Sequence, residues 1–291
     1  MRDRFATIAF ERQVAAPVET LWAAWTAPAA RAIWSPPSPG VTVDFVQTAT
    51  QVGGLEVSLC KAAGYPDIRA EVRWLHLDPP RCSVNSEVIS SAAGIDGAAL
   101  VTAEFHGDGE GSRIALTVQL ASFAANMADG YRHGYGAGIA NLGGVAERTM
   151  VIRRVIAAPV DRVWGAWMNA DTLPQWWGPD GFSCRTTRID LRAGGEWVFD
   201  MIGPDGTVFP NHHRYGRVIE GQGFDYTLHW GENGPKHADA WAGFEAVQGG
   251  TQVTLGMVFA TAEEFRNAKG FGAEALGLQT LGKLALFVGV G

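Results

Sequence analysis

Apolar and polar residues alternate along several stretches of the chain. Val41, Val43 and Phe45 alternate with Thr42 and Asp44, and Leu55, Val57 and Leu59 alternate with Glu56 and Ser58. Trp197, Phe199 and Met201 alternate with Glu196, Val198 and Asp200. Further runs of this kind are Ile114/Leu116/Val118/Leu120, Tyr226/Leu228/Trp230 and Val253/Leu255/Met257/Phe259. A period of two puts successive side chains on opposite faces, so these stretches predict strands of antiparallel sheets with one covered face. Pro79-Pro80, Gly107-Asp108-Gly109, Asp205-Gly206 and Gly249-Gly250 supply the turns between them.

Other segments follow the helical period. Val18, Leu21, Trp22 and Trp25 recur at i, i+3, i+4 and i+7, and Val160, Val163, Trp164 and Trp167 repeat that spacing. Pro17 and Pro159 stand at the start of these helices, where a missing N–H costs nothing. A second short helix is expected to end near Trp34 in one case and Trp176-Trp177 in the other. Two long helices are expected over 126–147 and 262–288, with apolar stripes at Ile139/Leu142/Val145 and Leu278/Leu281/Leu284. Both are rich in glycine, each costing a helix interior roughly 0.5–1 kcal/mol relative to alanine. Close packing on the sheet explains such glycines; room for a ligand would explain them as well.

These elements occur twice. Ala16-Pro17-Val18, Trp22, Trp25, Trp34 and Pro37 fall on Ala158-Pro159-Val160, Trp164, Trp167, Trp176 and Pro179 at a single offset of 142 residues. Gly53-Gly54 meets Gly194-Gly195 one residue out of step, and Gly138, Leu142 and Gly143 correspond to Gly277, Leu281 and Gly282. The 291 residues therefore read as two copies of one unit, 1–147 and 148–291, joined almost without a linker. The fold class expected of each is α+β.

Composition narrows the functional classes. Hydrophobic residues make up 47% and charged residues 18%, enough apolar material for a core in each copy. The net charge of -7 is spread over both halves without a basic cluster, which argues against nucleic acid or an anionic membrane as partner. Cys60, Cys82 and Cys184 show no C-x-x-C spacing, which suits a reducing compartment. The first ten residues lack the apolar core of a secretory signal, and Leu284–Val290 is too short to span a bilayer. A cytoplasmic protein is the expectation.

The order strand, two short helices, about six antiparallel strands and a long closing helix resembles the START-like superfamily, also called SRPBCC. Copy two is similar, within it, to the family named for the activator of heat-shock-protein-90 ATPase. The residues that carry this are Ala158-Pro159-Val160, Trp164, Trp176-Trp177-Gly178-Pro179 with Gly181-Phe182, and Leu191-Arg192-Ala193-Gly194-Gly195. Gly203-Pro204-Asp205-Gly206, Tyr215-Gly216-Arg217-Val218 and Gly249-Gly250-Thr251 continue the match. Copy one keeps fewer of them, with Trp34-Ser35-Pro36-Pro37 where copy two has W-W-G-P. The resemblance implies two tandem helix-grip domains, each a curved sheet around a C-terminal helix with a hydrophobic cavity between. It does not imply one activity, since the superfamily spans lipid carriers, plant ligand-binding proteins and polyketide cyclases.

Motifs for catalysis are missing. The seven histidines show no metal-ligand spacing, and neither a nucleophile elbow nor a phosphate-binding glycine loop follows a strand. No metal and no cofactor is expected, and no catalytic residue is assigned. Polar residues within apolar strands remain: Glu71, Arg73, Asn85, Glu87, Glu104 and His106 in copy one, and His213, Tyr215, Arg217, Tyr226 and His229 in copy two. Alternation puts most of these on the solvent face, with Tyr226 facing inward and His229 outward. Adjacent His212 and His213 must point to opposite faces. Trp176 and Trp177, also adjacent, are expected to divide between core and cavity mouth.

The expected ligand wall in copy two is Trp176, Trp197, Phe199, Met201, Tyr226, Trp230 and Met257, and in copy one Val57, Leu59 and Trp74. Methionine among aromatics suits an adaptable apolar surface. Five of the eleven tryptophans lack a counterpart in the other copy, and four of those five lie in copy two, which places the better pocket there. Binding of a small apolar or aromatic molecule is the leading expectation. A polyketide-cyclase-like enzyme is the first rival, and a chaperone-ATPase co-factor or interaction module the second. Contact between the two copies, and a homodimer, are further expectations.

Overall fold

A computed structural model describes residues 4–109 and 111–289. The chain divides into two compact units, Met1–Glu147 and Arg148–Gly291. In unit 1, β1 (Phe5–Val14) leads into α1 (Val18–Thr26) and α2 (Pro28–Trp34). Six strands follow: β2 (Val41–Gln47), β3 (Leu55–Ala62), β4 (Ile68–Asp78), β5 (Cys82–Ser91), β6 (Gly94–Asp108) and β7 (Gly111–Ser122). Helix α3 (Met127–Ala146) closes the unit. The seven strands form one antiparallel sheet in the order β1-β7-β6-β5-β4-β3-β2. The short connections require hairpins, except that β1 reaches β7 at the end of the chain path.

Unit 2 repeats this arrangement. It comprises β8 (Thr149–Ile156), α4 (Val160–Trp167), α5 (Leu173–Trp176), β9 (Ser183–Ile189), β10 (Glu196–Ile202) and β11 (Val208–Ile219). After these come β12 (Gly223–His229), β13 (Lys236–Val247), β14 (Gly250–Phe259), α6 (Ala262–Gly270) and α7 (Ala273–Gly289). Its sheet runs β8-β14-β13-β12-β11-β10-β9. Each sheet therefore has seven strands, the opening strand and the six that follow the two short helices. The inner face of each sheet carries the core, and the closing helix packs there: α3 against β1, α1 and α2, and α7 against β8, α4 and α5.

The same local bonds hold both frames. Trp34 Nε1 donates to the Ala24 carbonyl at 2.8 Å, and Trp176 Nε1 to the Ala166 carbonyl at 3.0 Å. Ser112 Oγ donates to the Ala16 carbonyl at 2.7 Å, and Thr251 Oγ1 to the Ala158 carbonyl at 2.7 Å. These hydroxyls satisfy carbonyls in the turns that carry Pro17 and Pro159 into α1 and α4. Gly53 and Gly194 each turn the chain into the third strand of its unit with φ of +80° and +76°, a conformation that glycine adopts without steric cost.

The closing segment of unit 2 is two helices, where one helix was expected over 262–288. Gly272, at φ +80°, breaks it in the left-handed region between α6 and α7. The helix glycines divide between two uses. A Cβ at Gly138 would sit 3.3 Å from the Trp34 ring, and one at Gly143 or Gly277 would overlap Arg12 or Ile152. Gly134, Gly144 and Gly270 face open space. Among the described residues, no helix is long and apolar enough to cross a membrane.

Candidate functional site

In unit 2, strand pairing sets the inner face in rows. Trp197 lies opposite His213, which lies opposite Leu228; in the next row Tyr215 lies opposite Tyr226, and Tyr226 opposite Ala240. Ala240 in turn pairs with Met257. Trp197, Phe199, His213, Tyr215 and Tyr226 are all buried. The Trp197 and Phe199 rings stack at 3.7 Å between centroids. His213 is boxed by rings: Tyr226 at 5.0 Å, Phe199 at 5.1 Å, Trp197 at 5.5 Å and Trp177 at 5.7 Å.

Three polar groups stand in this apolar box. Among the described residues, the His213 ring nitrogens and the hydroxyls of Tyr215 and Tyr226 have no hydrogen-bond partner. Burial, with a smaller contribution from neighbouring His212, pushes the His213 pKa down to about 3. The ring is therefore neutral near neutral pH, able to donate one hydrogen bond and accept another. Burial likewise pushes both tyrosines above their ordinary range, so they remain phenols.

The expected wall residues fall into place as follows. Trp197, Phe199 and Tyr226 form the inner face itself, and Met201 and Met257 lie half-buried against the same core. Trp176 is buried beneath Trp167, with ring centroids 4.9 Å apart. Trp177 also meets Trp167, at 5.5 Å, and stands half-buried against Trp197 and His213, so the adjacent tryptophans share one cluster with Trp176 in the core. The reason is the end of α5 between them, after which Trp177 adopts an extended backbone. Trp230 is 46% exposed and packs on His237 at 4.4 Å beyond the end of β12, so it is a rim residue and not part of the wall. The register shift between Leu228 and His229 ends the alternation that had placed it inside.

His212 and His229 lie opposite each other on the outer face, 5.9 Å apart. There His212 Nε2 meets Glu196 Oε2 at 2.7 Å, and Arg188 bridges Glu196 to Glu232. Arg188 and His212 together hold the Glu196 carboxyl down to about 2. The opposed directions of His212 and His213 follow the parity expected of adjacent strand residues.

Unit 1 has the same rows with different chemistry. Glu56 lies opposite Val72, which lies opposite Glu87; Trp74 lies opposite Asn85. Glu56 is buried and paired with Arg31 of α2, and it accepts from Thr50 Oγ1 at 2.6 Å. The Arg31 guanidinium lies over Phe45 at 4.6 Å and Trp74 at 5.5 Å. Glu87 accepts from Tyr135 of α3 at 3.2 Å, and Tyr131 stacks on Tyr135 at 5.9 Å. Burial pushes the Glu87 carboxyl up, while the Tyr131 and Tyr135 phenols and Arg31 act to lower it. Trp74 Nε1, Asn85 Oδ1 and Tyr131 Oη are buried without partners.

This face corrects two expectations. Val57 pairs with Glu71 and Leu59 with Arg69, on the sheet face opposite to Glu56 and Arg31. The apolar members of that alternation therefore stand on the sheet face opposite to Glu56, where Val57 is nonetheless buried and Leu59 half-buried. Trp74 is on the inner face, 1% exposed. Glu56, Arg31, Tyr131 and Tyr135 were not foreseen, although the repeat places Arg31 at the position of Leu173 and Glu56 at that of Trp197. An open trough of about 480 Å³ also crosses unit 1, lined by Phe5, Val88, Ala98, Leu100 and Ala121 among others. Glu87, Ala99 and Leu120 of the inner row line it as well, so Glu87 borders this open space.

Two seven-stranded antiparallel sheets, each with a closing helix over an inner face that buries polar groups, define a tandem pair of helix-grip domains. The chain belongs to the family described as activator of Hsp90 ATPase homolog 1-like protein, whose sequence profile matches residues 15–146 and again 157–286. No curated protein matches it. Among solved structures it is similar to a Nitrosomonas europaea protein at 25% identity, over 48% of this chain and 93% of that one, with TM-score 0.43. A Mycobacterium smegmatis protein matches at 24% identity over 50% and 92%, with TM-score 0.45. A Rhizobium loti protein matches at 25% identity over 48% and 95%, with TM-score 0.43. The fold is one that commonly binds hydrophobic ligands.

Proposed function

We propose that the protein binds small, mainly apolar or aromatic molecules carrying one hydrogen-bonding group, inside unit 2 between the inner face and α7. The observation that carries this is the trio His213, Tyr215 and Tyr226, buried among aromatic rings and unpartnered among the described residues. An apolar ligand body suits Trp197, Phe199, Met201 and Met257, and its polar group would satisfy the trio. Binding is favoured over catalysis by the same environment. A base with a pKa of about 3 holds a proton too weakly for general-base work at neutral pH. The Cys184 thiol, pushed up to about 12 by burial, is no nucleophile.

Calorimetric titration of the full chain with 2-naphthol and with 2-methoxynaphthalene tests this reading. The naphthol, which can both donate and accept, is expected to bind at least tenfold more tightly. Tyr226→Phe should remove most of that difference, and Trp197→Ala or Phe199→Arg should weaken both. If all three variants bound both compounds as the parent does, the site would lie elsewhere. Native mass spectrometry of the purified protein is a second arm, expected to show a small molecule retained at one per chain.

A further inference from the structure

The inner face of unit 1 is not a weaker copy of the unit 2 face. Its rows carry Arg31, Glu56, Asn85 and Glu87 where unit 2 carries Leu173, Trp197, Tyr226 and Leu228. We propose that unit 1 is a separate binding site for small organic ammonium ions that also carry a hydrogen-bond acceptor, the cation meeting Glu87 and Asn85 and the acceptor meeting the Trp74 indole N–H.

Charge pairing leads to this assignment. Arg31 is matched by Glu56, which also accepts from Thr50. Among the described residues, Glu87 has no ion-pair partner on the inner row: Arg31 acts on it only at a distance, and its Oε2 accepts from the neutral Tyr135 hydroxyl, with Tyr131 alongside. The other cation on this face is Arg12 of β1, whose Nε lies against Gly143. Gly143 is eight residues along α3 from Tyr135, about 12 Å at the helical rise. Glu87 is half-buried and borders the open trough, so an ammonium can reach its carboxylate and offset the cost of partial desolvation.

The unpartnered atoms specify the rest of the ligand. Asn85 Oδ1 can only accept, so it calls for a donor, as an ammonium is. Trp74 Nε1 can only donate, so it calls for an acceptor. Asn85 is two residues from Glu87 on β5, on the same face, and Trp74 lies directly across from Asn85. Trp74 and Asn85 are 1% and 4% exposed, so bulk water does not supply these partners. The Tyr131 and Tyr135 rings, stacked beside Glu87, offer an aromatic wall for the body of such an amine. An anion would meet Glu87 with the same sign of charge and is excluded.

Three compounds with one phenylcarbinol skeleton test the proposal on the full chain: 2-amino-1-phenylethanol, 1-phenylethanol and mandelate. The amine is expected to bind at least tenfold more tightly than the neutral alcohol, and mandelate not measurably. Binding should shift the Trp74 indole N–H resonance, identified by its loss in Trp74→Phe. Glu87→Gln, which keeps size and shape, should reduce the amine's advantage below threefold, whereas Trp197→Ala in unit 2 should leave it intact. Tyr135→Phe serves as a second variant where Glu87→Gln does not fold, with a smaller loss of the same preference expected. Equal binding of the three compounds, a cation preference that survives Glu87→Gln, or no binding of the amine would each overturn the proposal. None of these outcomes bears on the naphthol site, which is read through Tyr226.

Discussion

Glu56 and Trp197 hold the same place in the two units: each is the inner-facing residue two positions after the Gly-Gly turn, opposite the fourth strand of its sheet. Glu56 meets Arg31 of α2 there, while Trp197 stacks on Phe199. One backbone frame thus carries a buried ion pair in one copy and an aromatic stack in the other.

That ion pair is expected to matter most when half of it is removed. Arg31→Met leaves Glu56 buried beside Thr50 without a cation, at a cost of about 3–5 kcal/mol. The double variant Arg31→Met/Glu56→Leu should be closer to the parent than the single variant is. Urea unfolding of the four proteins in this cycle measures the coupling, with the unit 1 transition followed separately if the two units unfold apart.

Acid stability should report on His213. Its folded pKa of about 3 lies below the ordinary histidine value of 6.5, so the unfolded chain binds the proton more readily. The stabilisation from keeping this ring neutral is complete above about pH 6.5 and is lost as pH falls toward 3. The slope expected between these limits is about 1.4 kcal/mol per pH unit. Glu196, held at about 2, has the same sign but acts below its ordinary value of 4.5. Burial lowers His229 and His237 as well, so thermal unfolding from pH 7 to pH 5 reads the three together, and the part of the slope lost in His213→Phe belongs to His213.

Two glycine substitutions should change stability in opposite directions. Gly134→Ala places a methyl group in open space within α3 and is expected to stabilise by about 0.5–1 kcal/mol. Gly256→Ala would drive a methyl group into the Trp241 indole and is expected to destabilise by about 1–3 kcal/mol. Calorimetric melting of both variants checks the pair. A loss of stability in Gly134→Ala would mean that this part of α3 is packed.

Truncating Trp197 opens the centre of unit 2. The ring is fully buried, so Trp197→Ala should cost about 3–5 kcal/mol through lost contacts and the space left behind. Denaturant midpoints give the cost. Its use in binding assays needs a temperature well below the variant's transition.

The repeated frame was legible in the sequence because Pro17/Pro159 and Trp34/Trp176 do the same work at one spacing. The tandem α+β helix-grip architecture followed from them. Alternation alone failed at Val57 and Leu59, since a period of two shows that faces differ and not which face is inside. Only Arg31 reaching Glu56 across 25 residues decides that in unit 1. Trp230 was misplaced because a one-residue register shift is invisible in a hydrophobic pattern. Tyr131 and Tyr135 lie in a segment read by its apolar stripe, and Glu87, which accepts from Tyr135, is 44 and 48 residues away from them on another element.

The indole-to-carbonyl bonds of Trp34 and Trp176 have one more consequence. They run from side chain to backbone at the same offset in both units, so they make no demand on what the inner rows contain. The frame therefore leaves the inner rows free to differ, as Glu56 and Trp197 do. Replacing Asn85 and Glu87 by the tyrosine and leucine that unit 2 carries at those places should remove the cation preference proposed for unit 1 while the Trp34 bond to Ala24 stays in place.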